Sequence, residues 1–318
     1  MSNFLGGFLK KIKLVFTLFL LIIMAMIITS PLKFINACMN GISAWAFNVL
    51  PSILPFIIFT RILTDLNMAN KFTKPLNGLF AKAYRTSPLS CYVFFMSILS
   101  GYPVGSKMIA DLYENRKISK EDVYKMSSFC SNSGPMFIVG TVGTMLLQSP
   151  LAGYLILISH ILSALLNGLI FRKMKVKTSP LISNIPLQSK EESSFNLGDI
   201  ILSSVQAILS VGAIIAVFFI VIECLLPAFA LLPSPFKEVF EGLVEITRGC
   251  IDLSKLAGLK LKTALCCFVV TFGGFSTILQ SIALLKKVKM PIWLFTLQKL
   301  SQAILSLIIC FILSLIFL

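Results

Sequence analysis

The sequence predicts an all-α, polytopic helical membrane protein, and three observations carry that reading. The chain of 318 residues is 57% hydrophobic and only 13% charged, where a soluble domain carries charge at about a quarter of its positions. Apolar runs near the length needed to cross a ~30 Å hydrocarbon core recur along it. Its Lys and Arg residues fall mostly in the links between those runs, as in a protein oriented by the positive-inside rule. That placement also accounts for the formal charge of +15 without nucleic acid, since no Arg-rich or RNP-like motif accompanies it. The alternating segments of an outer-membrane barrel are absent.

Lys10, Lys11 and Lys13 precede an apolar run from Leu14 to Ile28. Ala-x-Ala spacing is missing before Ser30–Pro31, so the run reads as an uncleaved first helix with its N-terminus inside. A link over 31–43 leads to a second helix, Ala44 to Arg61. Pro51 and Pro55 within it are tolerated where neighbours satisfy the freed carbonyls. The next link sets Arg61, Lys71, Lys74, Lys82 and Arg85 against Asp65 and is cytoplasmic by charge. Leu89–Leu99 then supplies only ~16 Å of helix, half a span. Ser100 and Gly101 end it, and Pro103 sits in the first turn of a helix that reaches Tyr113. After a charged link over 114–125, Met126–Leu147 is interrupted at Ser131–Asn132–Ser133–Gly134–Pro135. Ser133 is the candidate N-cap there. Gln148–Ser149–Pro150 is an uncharged external turn, and Leu151–Phe171 returns to Arg172, Lys173, Lys175 and Lys177 inside.

Polar residues with Pro180 and Pro186 divide the chain into a first membrane half (1–171), a cytoplasmic linker (172–198) and a second half (199–318). The second half opens with a helix over 200–226, followed by a Pro-punctuated turn. In Phe236–Ser254, Glu238, Glu241, Glu245, Arg248 and Asp252 recur at helical spacing on one face. A broken segment, 264–285, carries Gly273–Gly274–Phe275–Ser276. Lys286, Lys287 and Lys289 follow it, then a last span from Pro291 to Leu318. Aligning Gly101–Tyr102 with Gly274–Phe275 suggests an internal repeat, inverted if 88–113 dips into the membrane and returns. An inverted second hairpin opens outward and puts Lys286, Lys287 and Lys289 outside, against the charge rule. That conflict is relieved only if Phe236–Ser254 or the second broken segment crosses the membrane.

Unwound backbone within a bilayer is tolerable where it is buried in protein or lines a wet cavity. The breaks are therefore expected to meet at a polar site near the midplane, where half-helix N-termini suit a carboxylate or phosphate. The candidate substrate-binding residues of the first break are Ser100, Gly101, Tyr102, Pro103, Gly105 and Lys107. The second break adds Asn132, Ser133, Gly134 and Pro135. The acidic face adds Glu245, Thr247 and Arg248, and the last break adds Gly273, Gly274, Ser276 and Gln280. Lys107 lies one turn past Pro103 and either faces the cavity or pairs with Asp111. Glu245 is placed to pair with Arg248, leaving Glu241 or Arg248 toward the solute. The competing reading makes the breaks packing kinks and the acidic stripe a solvated face. The eight cysteines form no CxxC, and His160, the single histidine, reads as a packed or hydrogen-bonded side chain. No metal or cofactor is expected. No nucleophile–base pair or phosphate loop is visible, so no enzyme is expected either. The expected partners are a small anionic solute and the lipid bilayer.

Two stretches, Leu99–Ser100–Gly101–Tyr102–Pro103–Val104–Gly105–Ser106–Lys107 and Ser128–Phe129–Cys130–Ser131–Asn132–Ser133–Gly134–Pro135–Met136–Phe137–Ile138, resemble the sporulation integral membrane protein YlbJ family. So do Gly242–Leu243–Val244–Glu245–Ile246–Thr247–Arg248–Gly249 and Phe272–Gly273–Gly274–Phe275–Ser276. The resemblance covers most of the chain and implies a nucleoside-recognition Gate architecture, related in plan to concentrative nucleoside transporters. It also implies transport of dipicolinate, a small planar dicarboxylate, through the outer forespore membrane of a sporulating bacterium. Ser131 stands where the resemblance leads one to expect Asn. Two alternatives accompany it. One is a nucleoside-type transporter resting on Asn132, Gln280 and Glu245, and the other is a non-transporting scaffold for spore-envelope assembly.

Overall fold

A computed structural model describes residues 2–66, 71, 73–175 and 196–318. Most of the expected linker, 176–195, lies outside the described residues. Among the described residues every regular element is helical. The first half holds α1 (Ser2–Thr29), α2 (Pro31–Ala44), a π-helical turn (Trp45–Val49) and α3 (Leu50–Asp65). It continues with α4 (Asn77–Tyr84), α5 (Leu89–Ser100), α6 (Val104–Glu114), α7 (Lys120–Met126), a π-helical segment (Met136–Leu146) and α8 (Pro150–Phe171). The second half holds α9 (Leu197–Phe229), α10 (Phe236–Val244), α11 (Ile246–Ser254), α12 (Leu259–Phe272), α13 (Gly274–Leu284) and α14 (Ile292–Phe317). The link expected over 31–43 is helical. Pro31 sits at the first helical position, where its missing N–H costs nothing, and α2 runs through the π-turn into α3.

Among the described residues five segments are long and apolar enough to cross a membrane: Pro31–Leu63, Pro150–Phe171, Leu197–Phe229, Leu259–Val288 and Ile292–Phe317. Their burial pattern is that of a chain folded in lipid. On α8, Leu151, Tyr154, Ile158, Leu162 and Leu166 are exposed, while Ser159, His160, Ser163 and Asn167 are fully buried. On α14, Trp293, Leu297, Ile304 and Ile308 face outward, while Gln298, Lys299, Gln302 and Ser306 are buried. A soluble helix puts these classes the other way round. In hydrocarbon a polar side chain has only other protein groups to bond, which drives it inward. The chain is therefore a multi-pass membrane protein.

Polar contacts sort the links into two ends. Ser87 N–H donates to Asp122 Oδ1 at 2.9 Å, and Lys125 Nζ to the Arg85 carbonyl at 2.9 Å. The start of α5 thus lies beside α7, and α5–α6 enters and returns on one side. Lys287 Nζ lies 2.6 Å from Glu114 Oε2, and Tyr124 Oη donates to the Lys289 carbonyl at 3.3 Å. Arg172 donates to the Ala83 carbonyl at that same end. At the other end Lys33 pairs with Glu223 at 3.3 Å, and Lys262 Nζ donates to the Ser254 carbonyl at 3.1 Å. The topological conflict is relieved by the second broken segment, since Leu259–Val288 is long and apolar enough to cross and its ends make contacts at opposite ends of the bundle. Lys286, Lys287 and Lys289 join Arg85, Lys125 and Arg172 on the Lys-rich, cytoplasmic side. The α10–α11 hairpin returns to the opposite side. Cysteines at 287 and 255, each introduced with Cys38 and Cys224 replaced, are expected to react with an impermeant maleimide from opposite faces of the membrane. Labelling of both from one face contradicts this topology.

Candidate functional site

Four interruptions, not three, converge. The α5 helix stops at Gly101 (φ 73), and Ser131–Gly134 form no helix. Glu245 is a single extended residue (φ −143, ψ 125) between α10 and α11, and Gly273 (φ 89) divides α12 from α13. Phe236–Ser254, expected as one acidic helix, is therefore two nine-residue helices folded against each other. The first two breaks touch backbone to backbone, since a Cβ on Gly101 would meet Gly134 N at 2.8 Å. The last two also meet, since a Cβ on Gly274 would sit 3.2 Å from the Val244 carbonyl and 3.4 Å from Ile246 N. Both glycines have positive φ, so backbone conformation and close approach require the same residue type.

Residues from all four breaks line one pocket. They include Ser100, Gly101 and Tyr102; Ser133 and Gly134; Glu245 and Thr247; and Ser276 with Gln280. The pocket leaves about 100 Å3 of space between these residues. Its remaining walls are apolar and come chiefly from α3 (Ile53, Phe56, Ile57) and α9 (Val211, Ile215). First-turn residues of three helical segments line it: Met136 and Phe137, Ile246 and Thr247, and Ser276 and Thr277. The first and last of these segments have no side-chain cap. The middle one is capped by Glu245, whose Oε2 accepts the Arg248 N–H at 2.8 Å.

Behind the pocket lies a polar cluster that the sequence reading missed. Lys299 of α14 is 1% exposed. Its Nζ donates to Tyr102 Oη at 2.8 Å, to the Ser131 carbonyl at 2.8 Å and to Gln302 Oε1 at 2.9 Å. Three oxygens match the three N–H donors of an ammonium. Gln302 Nε2 donates onward to Asn132 Oδ1 at 3.2 Å, and Asn132 Nδ2 to Ser97 Oγ at 2.8 Å. Tyr102 Oη donates to the Thr271 carbonyl at 3.1 Å, linking the first break to the last. Ser133 N–H donates to His160 Nε2 at 3.1 Å, which makes Nδ1 the protonated ring nitrogen, 2.9 Å from Thr271 Oγ1. His160 is thus buried and hydrogen-bonded, and it ties the second break to α12.

Other predicted site residues lie elsewhere. Lys107 is exposed, as is Asp111, and Lys107 is not among the pocket's lining residues. Arg248 does not pair with Glu245 through its side chain. Its Nε lies 2.7 Å from Asp252 Oδ2 and 3.6 Å from Glu241 Oε2, and its guanidinium sits over the Phe219 ring. It lines a shallow surface depression with Asn40, Asp252 and Lys255. Asn132 is buried behind the pocket wall, and Gly105 packs on the Cys130 carbonyl. Pro103 precedes α6 just past the lining residue Tyr102, and Pro135 precedes the π-helical segment between the lining residues Gly134 and Met136, but neither proline lines the pocket. Gly273 packs beside the Tyr102 ring.

No family model matches the chain, and no solved structure matches it. It is 27% identical to the sporulation integral membrane protein YlbJ of Bacillus subtilis (strain 168), across 90% of this chain and 79% of that protein. The similarity extends over nearly the whole chain and agrees with the resemblance of its interrupted segments to the YlbJ family.

Proposed function

We propose that the protein is a secondary carrier of a small anionic solute, dipicolinate, in the outer forespore membrane during endospore formation. It works by alternating access and does no chemistry on its cargo. The observation that carries this reading is the single pocket shared by helix breaks from both halves. A protein that only scaffolds has no need of four unwound segments at one buried place, whereas carriers build midplane sites this way. Two uncapped first turns and the buried Lys299 favour an anion. The sporulation setting follows the related protein's description, and dipicolinate follows the resemblance. In each half, one long span is followed by two interrupted segments and a last span. We read this order as an inverted repeat that pairs Gly101 with Glu245 and Ser131–Pro135 with Gly273, in place of the alignment of Gly101–Tyr102 with Gly274–Phe275. The α5–α6 and α10–α11 hairpins, opening to opposite sides, support that pairing. The second reading, a nucleoside-type carrier, is favoured by Glu245 and Gln280 on the pocket wall.

Labelled dipicolinate uptake into proteoliposomes tests the proposal, with uridine as the competing solute. Wild type is expected to take up dipicolinate saturably. Val211→Trp, which fills the pocket from its apolar wall, is expected to lose at least about tenfold, the effect of roughly 1.4 kcal/mol. Saturable uridine uptake without dipicolinate uptake selects the nucleoside reading. Uptake of neither solute by folded protein removes the carrier assignment.

A further inference from the structure

Among the residues lining the pocket, Glu245 is the only carboxylate, and Lys, Arg and His are missing from that set. The Glu245 side chain is almost wholly buried. Among the described residues no basic side chain lies within ion-pair reach of it, because the Arg248 guanidinium is engaged by Asp252 and Glu241. The Arg248 N–H, the Thr247 N–H and the Thr247 hydroxyl reach the Glu245 carboxylate, but neutral donors do not cancel a full charge in a dry site as a basic side chain would. The other titratable groups around it are Cys250 on its own helix and Tyr102 across the pocket, with Lys299 behind Tyr102. An anion entering this pocket therefore meets a like charge at close range, and like charges in one low-dielectric site do not both persist. The site accepts an anion once the carboxylate has taken a proton.

We infer that Glu245 is the coupling residue of the carrier, and that each anion binds together with one proton, drawn from the water on the side of entry and held on the Glu245 carboxylate. This rests on the anion-carrier reading above. The proton neutralises the one charge on the pocket wall as the anion arrives, and it leaves again with the anion when the opposite side opens. The occupied site then differs in net charge from the empty one by the anion's charge offset by the single positive charge of the proton. Such a carrier accumulates its solute along a proton gradient. Its affinity falls as pH rises, by at most about tenfold per pH unit for a one-proton linkage.

Titration calorimetry of dipicolinate binding to the purified full chain, in two buffers of different ionisation enthalpy, counts the protons taken up. Between about pH 6 and pH 8, wild type is expected to take up close to one proton per anion at the upper end and fewer toward the lower end, where the empty site already holds part of that proton. Glu245→Gln keeps an acceptor for the Arg248 N–H and is expected to bind with none, at an affinity that no longer changes with pH. Glu241→Gln is expected to keep the wild-type proton count, because that carboxylate faces Arg248 rather than the pocket. Dipicolinate binding by wild type without proton uptake overturns the coupling assignment and leaves the carrier standing. A proton count that vanishes in Glu241→Gln instead does the same. No dipicolinate binding by folded wild type across this range overturns both.

Discussion

Lys299→Met is expected to weaken dipicolinate binding by about thirtyfold, while Lys107→Met changes it by less than about twofold. The two lysines look alike in composition but sit in opposite environments. Lys107 lies on the outer face of α6 and is not among the residues that line the pocket. Lys299 is buried, with its Nζ 4.9 Å from the centre of the Tyr102 ring whose residue lines the pocket. Across roughly 8 Å at an effective dielectric of about 20, one charge contributes ~2 kcal/mol to an anion's binding, or close to thirtyfold. Stability moves less. Methionine leaves Tyr102 Oη, the Ser131 carbonyl and Gln302 Oε1 without their donor, and bonds of this kind in a membrane interior contribute about 0.6–1.7 kcal/mol each. Against that, the charge no longer has to be buried. The net loss is expected to be about 1–3 kcal/mol, read as a lowered melting midpoint in detergent. Equal effects of the two variants on binding mean that the anion does not sit beside Tyr102.

The breaks that were legible in the sequence are those marked by residues that end helices. Ser100–Gly101–Tyr102–Pro103, Ser131–Pro135 and Gly273–Gly274 each place glycine or proline where the backbone turns. The break at Glu245 carries neither. One extended residue makes it, and its own carboxylate caps the next helix. Read as a continuous helix, Glu241 and Arg248 stand about 10 Å apart along the axis. They lie 3.6 Å apart because the hairpin folds back on itself. The regular acidic spacing was therefore a product of two short helices facing each other, and periodicity alone gives the same pattern for both arrangements. Two glycines, Gly242 and Gly249, flank that break and pack face to face. They are the signal from which it can be found.

Lys299 had a clearer signal, a single cation among Gln298, Gln302 and Ser306 inside an otherwise apolar span. An ionisable residue there is a functional candidate by default. It competed with Lys107 and Arg248, which stand beside recognisable motifs and are sequence neighbours of the site. In three dimensions Lys107 is exposed away from the pocket, and Arg248 is engaged by Asp252 and Glu241. The charge that reaches the pocket arrives from the last helix, across 197 residues of sequence between Tyr102 and Lys299. Sidedness was likewise ambiguous in sequence. It became fixed only when contacts such as Lys287 with Glu114 joined links from different halves.

Gly105→Ala is expected to be the most destabilising methyl addition in the first half, and Gly78→Ala a mildly stabilising one. In an unobstructed helix, alanine gains about 1 kcal/mol over glycine. Gly78 lies on α4 with open space where a Cβ would be, so that gain is expected in full. Gly105 lies in the first turn of α6, where a Cβ would stand 1.8 Å from the Cys130 carbonyl oxygen and 2.8 Å from Ser97 Cβ. One of those neighbours is backbone and cannot rotate away. The methyl therefore has to push α6 off the turn that enters the second break. Overpacking of this kind costs about 1–3 kcal/mol, and more where backbone must shift, so the clash outweighs the helix-propensity gain. The displacement acts on the wall itself, because Gly101 and Gly134 touch just above and Ser97 holds Asn132. Gly105→Ala is thus expected to lower the melting midpoint and to reduce anion binding together, whereas Gly78→Ala raises the midpoint and leaves binding alone. A variant at Gly105 that melts like wild type places α6 farther from Cys130 than this packing requires.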